Sequence, residues 1–152
     1  MNILMVCLGN ICRSPLAHGI MQHLADKHHL NWKIDSAGTG DWHIGKCPDH
    51  RSIDIARKHG IELSDQRAQQ FKPSFFEEYN HILVMDRSNL RDVLRLAETD
   101  EQRAKVQLFL GDGEVADPYY EDDLFVPVFS EIHARCEWWI QKYVNTKNSS
   151  SK

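Results

Sequence analysis

Apolar positions along the chain come in short unbroken blocks, separated by longer stretches with helical spacing. Ile3 to Val6 is continuously apolar, as a strand buried on both faces should be. Gly9 and Asn10 break the run. Ser14-Pro15 then reads as a helix start, with Ser as cap and Pro at the first helical position, where no N–H is needed. Leu16, Ile20, Met21 and Leu24 follow at helical spacing, which predicts a helix to about His28. Trp32 to Ala37 reads as a second strand, and a glycine-rich loop follows from Gly38 to Gly45. Asp49 can cap a helix carrying Ile53, Ala56 and Arg57, ended by Gly60. His81 to Met85 is a third strand, with Asp86 or Ser88 capping a helix through Leu90, Val93, Leu94 and Leu96. Val106 to Leu110 is the fourth. A last helix from about Asp122 to Val144 should bury Phe125, Val128, Phe129, Ile132, Cys136 and Trp139.

Strands alternating with helices imply βαβ units. The expected fold is a single α/β domain over residues 1–144, an open four-stranded parallel sheet with helices on both faces. The polar stretch 145–152 (NTKNSSSK) reads as a flexible tail. In open parallel sheets ligands bind beyond the carboxyl ends of the strands, and Cys7 falls at the carboxyl end of the first.

Composition changes this picture in one respect. At 152 residues, with 41% hydrophobic and 26% charged side chains, the chain is of ordinary single-domain make-up. Its formal charge of -4 and pI ≈ 6.1 give no basic footprint for nucleic acid, so any bound anion must be held by local geometry. The N-terminus lacks the charged region of a signal peptide, and no apolar run approaches the ~20 residues of a membrane span. Cys7, Cys12, Cys47 and Cys136 do not form a disulfide framework for a chain of this size. A cytoplasmic monomer without membrane or nucleic-acid partners is expected.

The chemistry concentrates in Cys7-Leu8-Gly9-Asn10-Ile11-Cys12-Arg13-Ser14. A short loop entering a helix turns successive N–H groups toward one point, an anion nest reinforced by the positive end of the helix dipole. Gly9 and Asn10 tolerate the left-handed conformations such a nest needs. Arg13 can set its planar fork on two phosphate oxygens. The same setting favours a Cys7 thiolate over the thiol. A lone cysteine at a strand end is more often an inert core residue; cysteine, five residues, arginine and Ser-Pro directly after an apolar strand reverse that reading. Residues Leu8, Gly9, Asn10, Ile11, Cys12, Arg13 and Ser14 are the expected phosphate cradle, and Ser14 can hydrogen-bond the sulfur as it leaves.

Val6 to Pro15 reads V-C-L-G-N-I-C-R-S-P and resembles the nucleophile loop of the low-molecular-weight protein tyrosine phosphatases. The resemblance extends through Asp35-Ser36-Ala37 with Trp42 downstream, Met85-Asp86 with Ser88-Asn89-Leu90, and Asp117-Pro118-Tyr119-Tyr120, and spans nearly the whole chain. It implies hydrolysis of phosphotyrosine in proteins or of small aryl phosphates, through a cysteinyl-phosphate on Cys7, without cofactor or metal. The histidines show no ligand spacing of their own.

Departure of a phenolate needs a proton, so an acid distant in sequence must join the loop. Asp117 is the candidate: Pro118 restricts its backbone, and Tyr119 and Tyr120 can wall a pocket for a phenyl ring. Asp-Pro is by itself more often a turn; the resemblance implies Asp117 as proton donor and then as base for water. An aspartic acid must hold a proton to donate one, which predicts an optimum on the acid side of neutrality. The resemblance also sets Trp42 beside the substrate ring and supports a protective Cys7–Cys12 disulfide under oxidation. Asn10, with Ser36 as partner, reads as scaffolding, since buried polar groups need partners. Many bacterial relatives carry Asp-His-Arg-Ala-Arg-Gln where this chain has Asp65-Gln66-Arg67-Ala68-Gln69-Gln70, so Gln66 replaces the histidine that commonly supports the Asn and Gln69 a basic residue. Two other readings use the same loop: an arsenate reductase, which needs a resolving cysteine able to reach Cys7, and a catalytically silent phosphotyrosine-binding module, which would not be expected to keep Cys7, Arg13 and Asp117 together.

Overall fold

The first strand, β1 (Asn2–Cys7), pairs in parallel with β2 (Lys33–Gly38) on one side and β3 (His81–Val84) on the other; β3 pairs in parallel with β4 (Val106–Leu108), giving the order β2-β1-β3-β4. The computed structural model describes the backbone of residues 1–150 and the side chains of residues 1–146. Alternate residues of β1 face opposite layers, as the two-residue period of a strand requires. Ile3, Met5 and Cys7 join Leu16 and Ile20 of α1 (Arg13–Lys27), Ile55 of α2 (His50–Lys58) and Ile132 and Trp139 of α6 (Phe125–Ser150). Leu4 and Val6 join Phe75 and Phe76 of α3 (Phe75–Glu78) and Val93 of α4 (Arg87–Leu96). Both faces are therefore covered, which is why β1 is an unbroken apolar run.

Ile3, Leu4, Met5 and Val6 are wholly buried, and each such side chain contributes about 1.5–3 kcal/mol relative to an exposed one. The carboxyl end of β1 is thus firmly anchored. From it the chain runs to β2 on one side, then crosses back past β1 to β3 on the other. Connections diverge at this point, where parallel sheets leave a crevice, and Cys7 is the last residue of β1.

Several boundaries differ from expectation. Ser14 is not the cap of α1: the helix starts at Arg13, and its N-cap, Cys12, makes no side-chain capping bond. The Ser14 hydroxyl is engaged instead with the Cys7 sulfur and the Asn10 amide. Pro15 still lies in the first turn, whose N–H groups have no helical acceptor. Asp49 and Asp86 do cap α2 and α4, accepting from the Arg51 and Asn89 N–H groups. β2 is shifted by one residue, and β4 stops at Leu108. α3 and the Thr99-capped α5 (Asp100–Ala104) are too short to show a period. The expected apolar face of α6 is buried throughout, from Phe125 to Trp139. That helix begins after a 3₁₀ turn at Asp122–Leu124 and continues to Ser150, so the polar stretch from Asn145 starts within it. Residues 151 and 152, and the side chains from 147 onward, lie outside the described residues. Among the described residues no helix is long and apolar enough to cross a membrane.

Candidate active site

The loop after Cys7 turns its carbonyls outward and ties them down. Cys7 O accepts from Thr39 N (2.9 Å), Leu8 O from Gly40 N (2.9 Å), and Ile11 O from Asp49 N (2.7 Å). Gly38 makes this approach possible: a Cβ there would stand 2.8 Å from Leu8 O and 3.1 Å from Asn10 N. Among the described residues, the N–H groups of Leu8, Gly9, Ile11, Cys12 and Arg13 donate to no protein acceptor, and these residues line a cavity of about 460 Å³ with Cys7. Unpaired donors converging at a helix start are an anion site. Asn10 supplies the one left-handed residue of the loop, at φ 57°, and its N–H points to the Cys7 sulfur at 3.2 Å.

Asn10 and Ser14 stand behind the cavity. The Ser14 hydroxyl lies 3.0 Å from the sulfur and accepts from Asn10 Nδ2 at 2.8 Å, which leaves its own proton for the sulfur. Asn10 Nδ2 also donates to Ser36 Oγ (2.9 Å), and its Oδ1 accepts from Gln69 N (3.0 Å). Gln69 Nε2 donates to Ser36 O at 2.9 Å, so Gln69 braces the loop through backbone and side chain. Gln66 does not reach Asn10; it donates to Pro15 O at 3.1 Å. A different histidine, His18 of α1, lies 3.4 Å from Ser36 Oγ. Burial pushes the His18 pKa down, against the opposing effects of Asp35 and a hydrogen bond to Gln66.

Arg13 is almost fully buried, and its Nη1 donates to Asp86 Oδ2 (2.7 Å) and Val115 O (2.9 Å). Burial works against its charge, but the Cys7 sulfur, Asp86 and Asp117 hold it above its ordinary range. Its Nη2 lies 3.8 Å from Asp117 Oδ2. Asp117 reaches the cavity from the segment before α6, and Trp42, Tyr119 and Tyr120 wall the mouth. Trp42 folds over Gly40, where a Cβ would overlap its ring. Tyr119 and Tyr120 meet edge to face at 4.9 Å.

Cys7, a buried arginine and a carboxyl group thus share one crevice. The family described as low molecular weight phosphotyrosine protein phosphatase matches residues 2–150. The chain belongs to that family. The low molecular weight phosphotyrosine protein phosphatase of Sus scrofa is 37% identical over 151 residues, covering 93% of this chain and 94% of that one. A protein tyrosine phosphatase from Entamoeba histolytica, solved with Hepes in its active site, superposes with TM-score 0.88 at 31% identity, covering 97% of this chain and 99% of that one. A Drosophila arginine phosphatase superposes with TM-score 0.87 at 32% identity, covering 94% and 98%.

The other thiols of this phosphatase differ in setting: Cys47 is exposed, and Cys12 and Cys136 are buried. Cys12 lines the cavity, but burial, followed by the charges of Asp49, Cys7 and Asp117, pushes its thiol well up. Cys136 is wholly buried in α6, its sulfur 3.8 Å from Ala17 O. All four thiols are free. Among the described residues no cluster of His, Cys, Asp or Glu could hold a metal ion. In the sequence, Asp86 stands out as a candidate helix cap and within the family resemblance, with nothing to tie it to Arg13. Its second carboxylate oxygen holds Arg13, a contact across 73 residues that leaves no local signal. His43, which also lines the cavity, carried no signal either.

Proposed function

We propose that the enzyme hydrolyses phosphotyrosine and other aryl phosphate monoesters through a phosphocysteine at Cys7. The Cys7 thiolate attacks phosphorus in line with the leaving oxygen. The P–O bond to the aryl group breaks as Asp117 delivers its proton to that oxygen. The free N–H groups from Leu8 to Arg13, with Nε and Nη2 of Arg13, hold the three equatorial oxygens as charge spreads over them. Water then attacks the phosphocysteine, giving its proton to Asp117. The P–S bond breaks with the Ser14 hydroxyl donating to the departing sulfur, and phosphate leaves. Nη1 of Arg13 takes no part in this, because Asp86 and Val115 fix it and so aim the rest of the fork.

The observation that carries this reading is the convergence of three side chains from distant segments on one cavity: Cys7 from β1, Arg13 from α1 and Asp117 from the segment before α6. Trp42, 65% exposed, and Tyr120, 88% exposed, favour a flat aromatic substrate over phosphoserine, since rings left in water gain most by covering another ring. An arsenate reductase would need a resolving thiol; Cys136 is buried, and the exposed Cys47 stands alone, outside the cavity lining, which opposes that reading. We further read the enzyme as a cytoplasmic monomer acting on phosphotyrosine proteins or small aryl phosphates, without a nucleic-acid or membrane partner. Four free thiols suit a reducing compartment, and light scattering checks the monomer. Turnover of p-nitrophenyl phosphate should fall by at least about 10⁴-fold in Cys7→Ser, with the fold intact by circular dichroism; wild-type turnover in that variant would sink the mechanism. Phosphotyrosine should be turned over faster than phosphoarginine at equal concentration.

A further inference from the structure

Asp117 lies between β4 and α6, ahead of the 3₁₀ turn at Asp122–Leu124 and outside any strand or helix. Its side chain is 40% exposed. Within the segment its Oδ1 accepts from Tyr119 N at 3.1 Å, which fixes the carboxyl group relative to Tyr119 but not relative to Cys7. A proton donor misplaced by about 1 Å can cost about 10²-fold. Arg13, 3.8 Å from Asp117 Oδ2 and bonded to Val115 O, ties the segment to the loop ahead of Asp117, and a second contact is needed beyond it.

Arg51, the second residue of α2, makes that contact. Its Nε and Nη2 fork onto Oδ1 and Oδ2 of Asp49, each at 2.9 Å. Nη2 also donates to Tyr119 O at 3.0 Å, and Nη1 to Asp122 Oδ1 at 2.5 Å. Its guanidinium lies 4.5 Å from the Phe125 ring centroid and 5.6 Å from that of Tyr119, within cation–π range. The other end of the strut is equally fixed. Asp49 donates its N–H to Ile11 O at 2.7 Å, and Ser52 Oγ donates to Cys12 O at 3.5 Å, so the first turn of α2 clasps the nucleophile loop itself.

We infer that Arg51 is a positioning residue for the general acid: it ties the segment carrying Asp117 to the loop carrying Cys7, and so sets the reach of the carboxyl group to the leaving oxygen. It touches neither substrate nor sulfur. Lysine would not replace it, because one ammonium cannot fork across Asp49 while reaching Tyr119 and Asp122. The inference rests on the assignment of Asp117 as the acid.

The test is the dependence of kcat/KM on the leaving group, since an acid matters most when the leaving group is poor. Arg51→Ala should lower kcat/KM for phenyl phosphate by about 10-fold or more and for p-nitrophenyl phosphate by at most about 3-fold. Arg51→Lys should follow Arg51→Ala. In an Asp117→Ala background, Arg51→Ala should leave the ratio between the two substrates unchanged. That ratio, measured on one preparation, does not depend on the fraction of protein folded. Equal losses on both substrates, or a further change of ratio without Asp117, would overturn the role of Arg51. If Asp117→Ala shifts the ratio and Arg51→Ala does not, only the strut fails. If Asp117→Ala leaves the ratio at the wild-type value, the acid assignment fails and the strut with it.

Discussion

Asn10 shows most clearly how much a single residue is asked to do. It accepts a left-handed conformation, which costs an ordinary L-residue about 1–2 kcal/mol and which its type tolerates. That conformation aims its N–H at the Cys7 sulfur, while its amide joins Ser14, Ser36 and Gln69. Alanine here would carry the backbone strain and leave buried polar partners unsatisfied at about 1–3 kcal/mol. Asn10→Ala should therefore lose about 2–5 kcal/mol of stability, with a fall in kcat as the loop relaxes; Asn10→Gly should recover only the backbone part. Urea unfolding of both variants checks this, and equal stability of the two would remove the strain contribution. The residue pattern Cys7 to Pro15 was legible because the loop is local. Asp86 on Arg13 and Arg51 on Tyr119 were not, since each joins segments roughly seventy residues apart, and nothing near either residue in sequence records the partner.

At the scale of elements, α2 works as a clamp as much as a core helix. Its cap, Asp49, meets Arg51 and also donates its own N–H to the nucleophile loop. Burial alone would raise the Asp49 pKa, but the Arg51 hydrogen bonds and charge outweigh it and hold the carboxyl below its ordinary range. A depressed folded-state value stabilises the protein above the unfolded carboxylate pKa, and the stabilisation is lost as pH falls through the folded value. Asp49→Asn, which can still cap the helix, should therefore lower stability near neutrality and narrow the difference between neutral and acid conditions. Thermal unfolding across that range measures it; an unchanged difference would mean the ion pair contributes nothing net. Elements with long periodic faces were readable, notably α6 with its buried stripe from Phe125 to Trp139. Ser14 was misread as a cap because capping chemistry and sulfur-binding chemistry use the same hydroxyl, and the tertiary partner won.

For the whole molecule, topology decides where chemistry can happen. The order β2-β1-β3-β4 opens its crevice at the end of β1, so Cys7, the amides behind it and the incoming Arg13 meet there without any help from net charge. A formal charge of -4 would repel a phosphate dianion at long range, and the site counters it with unpaired N–H groups and a buried guanidinium at close quarters. This was legible from sequence as a requirement, and the outward-tied carbonyls of Cys7, Leu8 and Ile11 are how the fold meets it. The most direct test of the account is to quench the enzyme early in turnover of p-nitrophenyl phosphate and map the phosphorylated peptide by mass spectrometry. A phosphoryl group on Cys7, absent from Cys7→Ser, is the expected result; a phosphoryl group on another residue, or single-turnover release of phosphate with no adduct at any time, would contradict it.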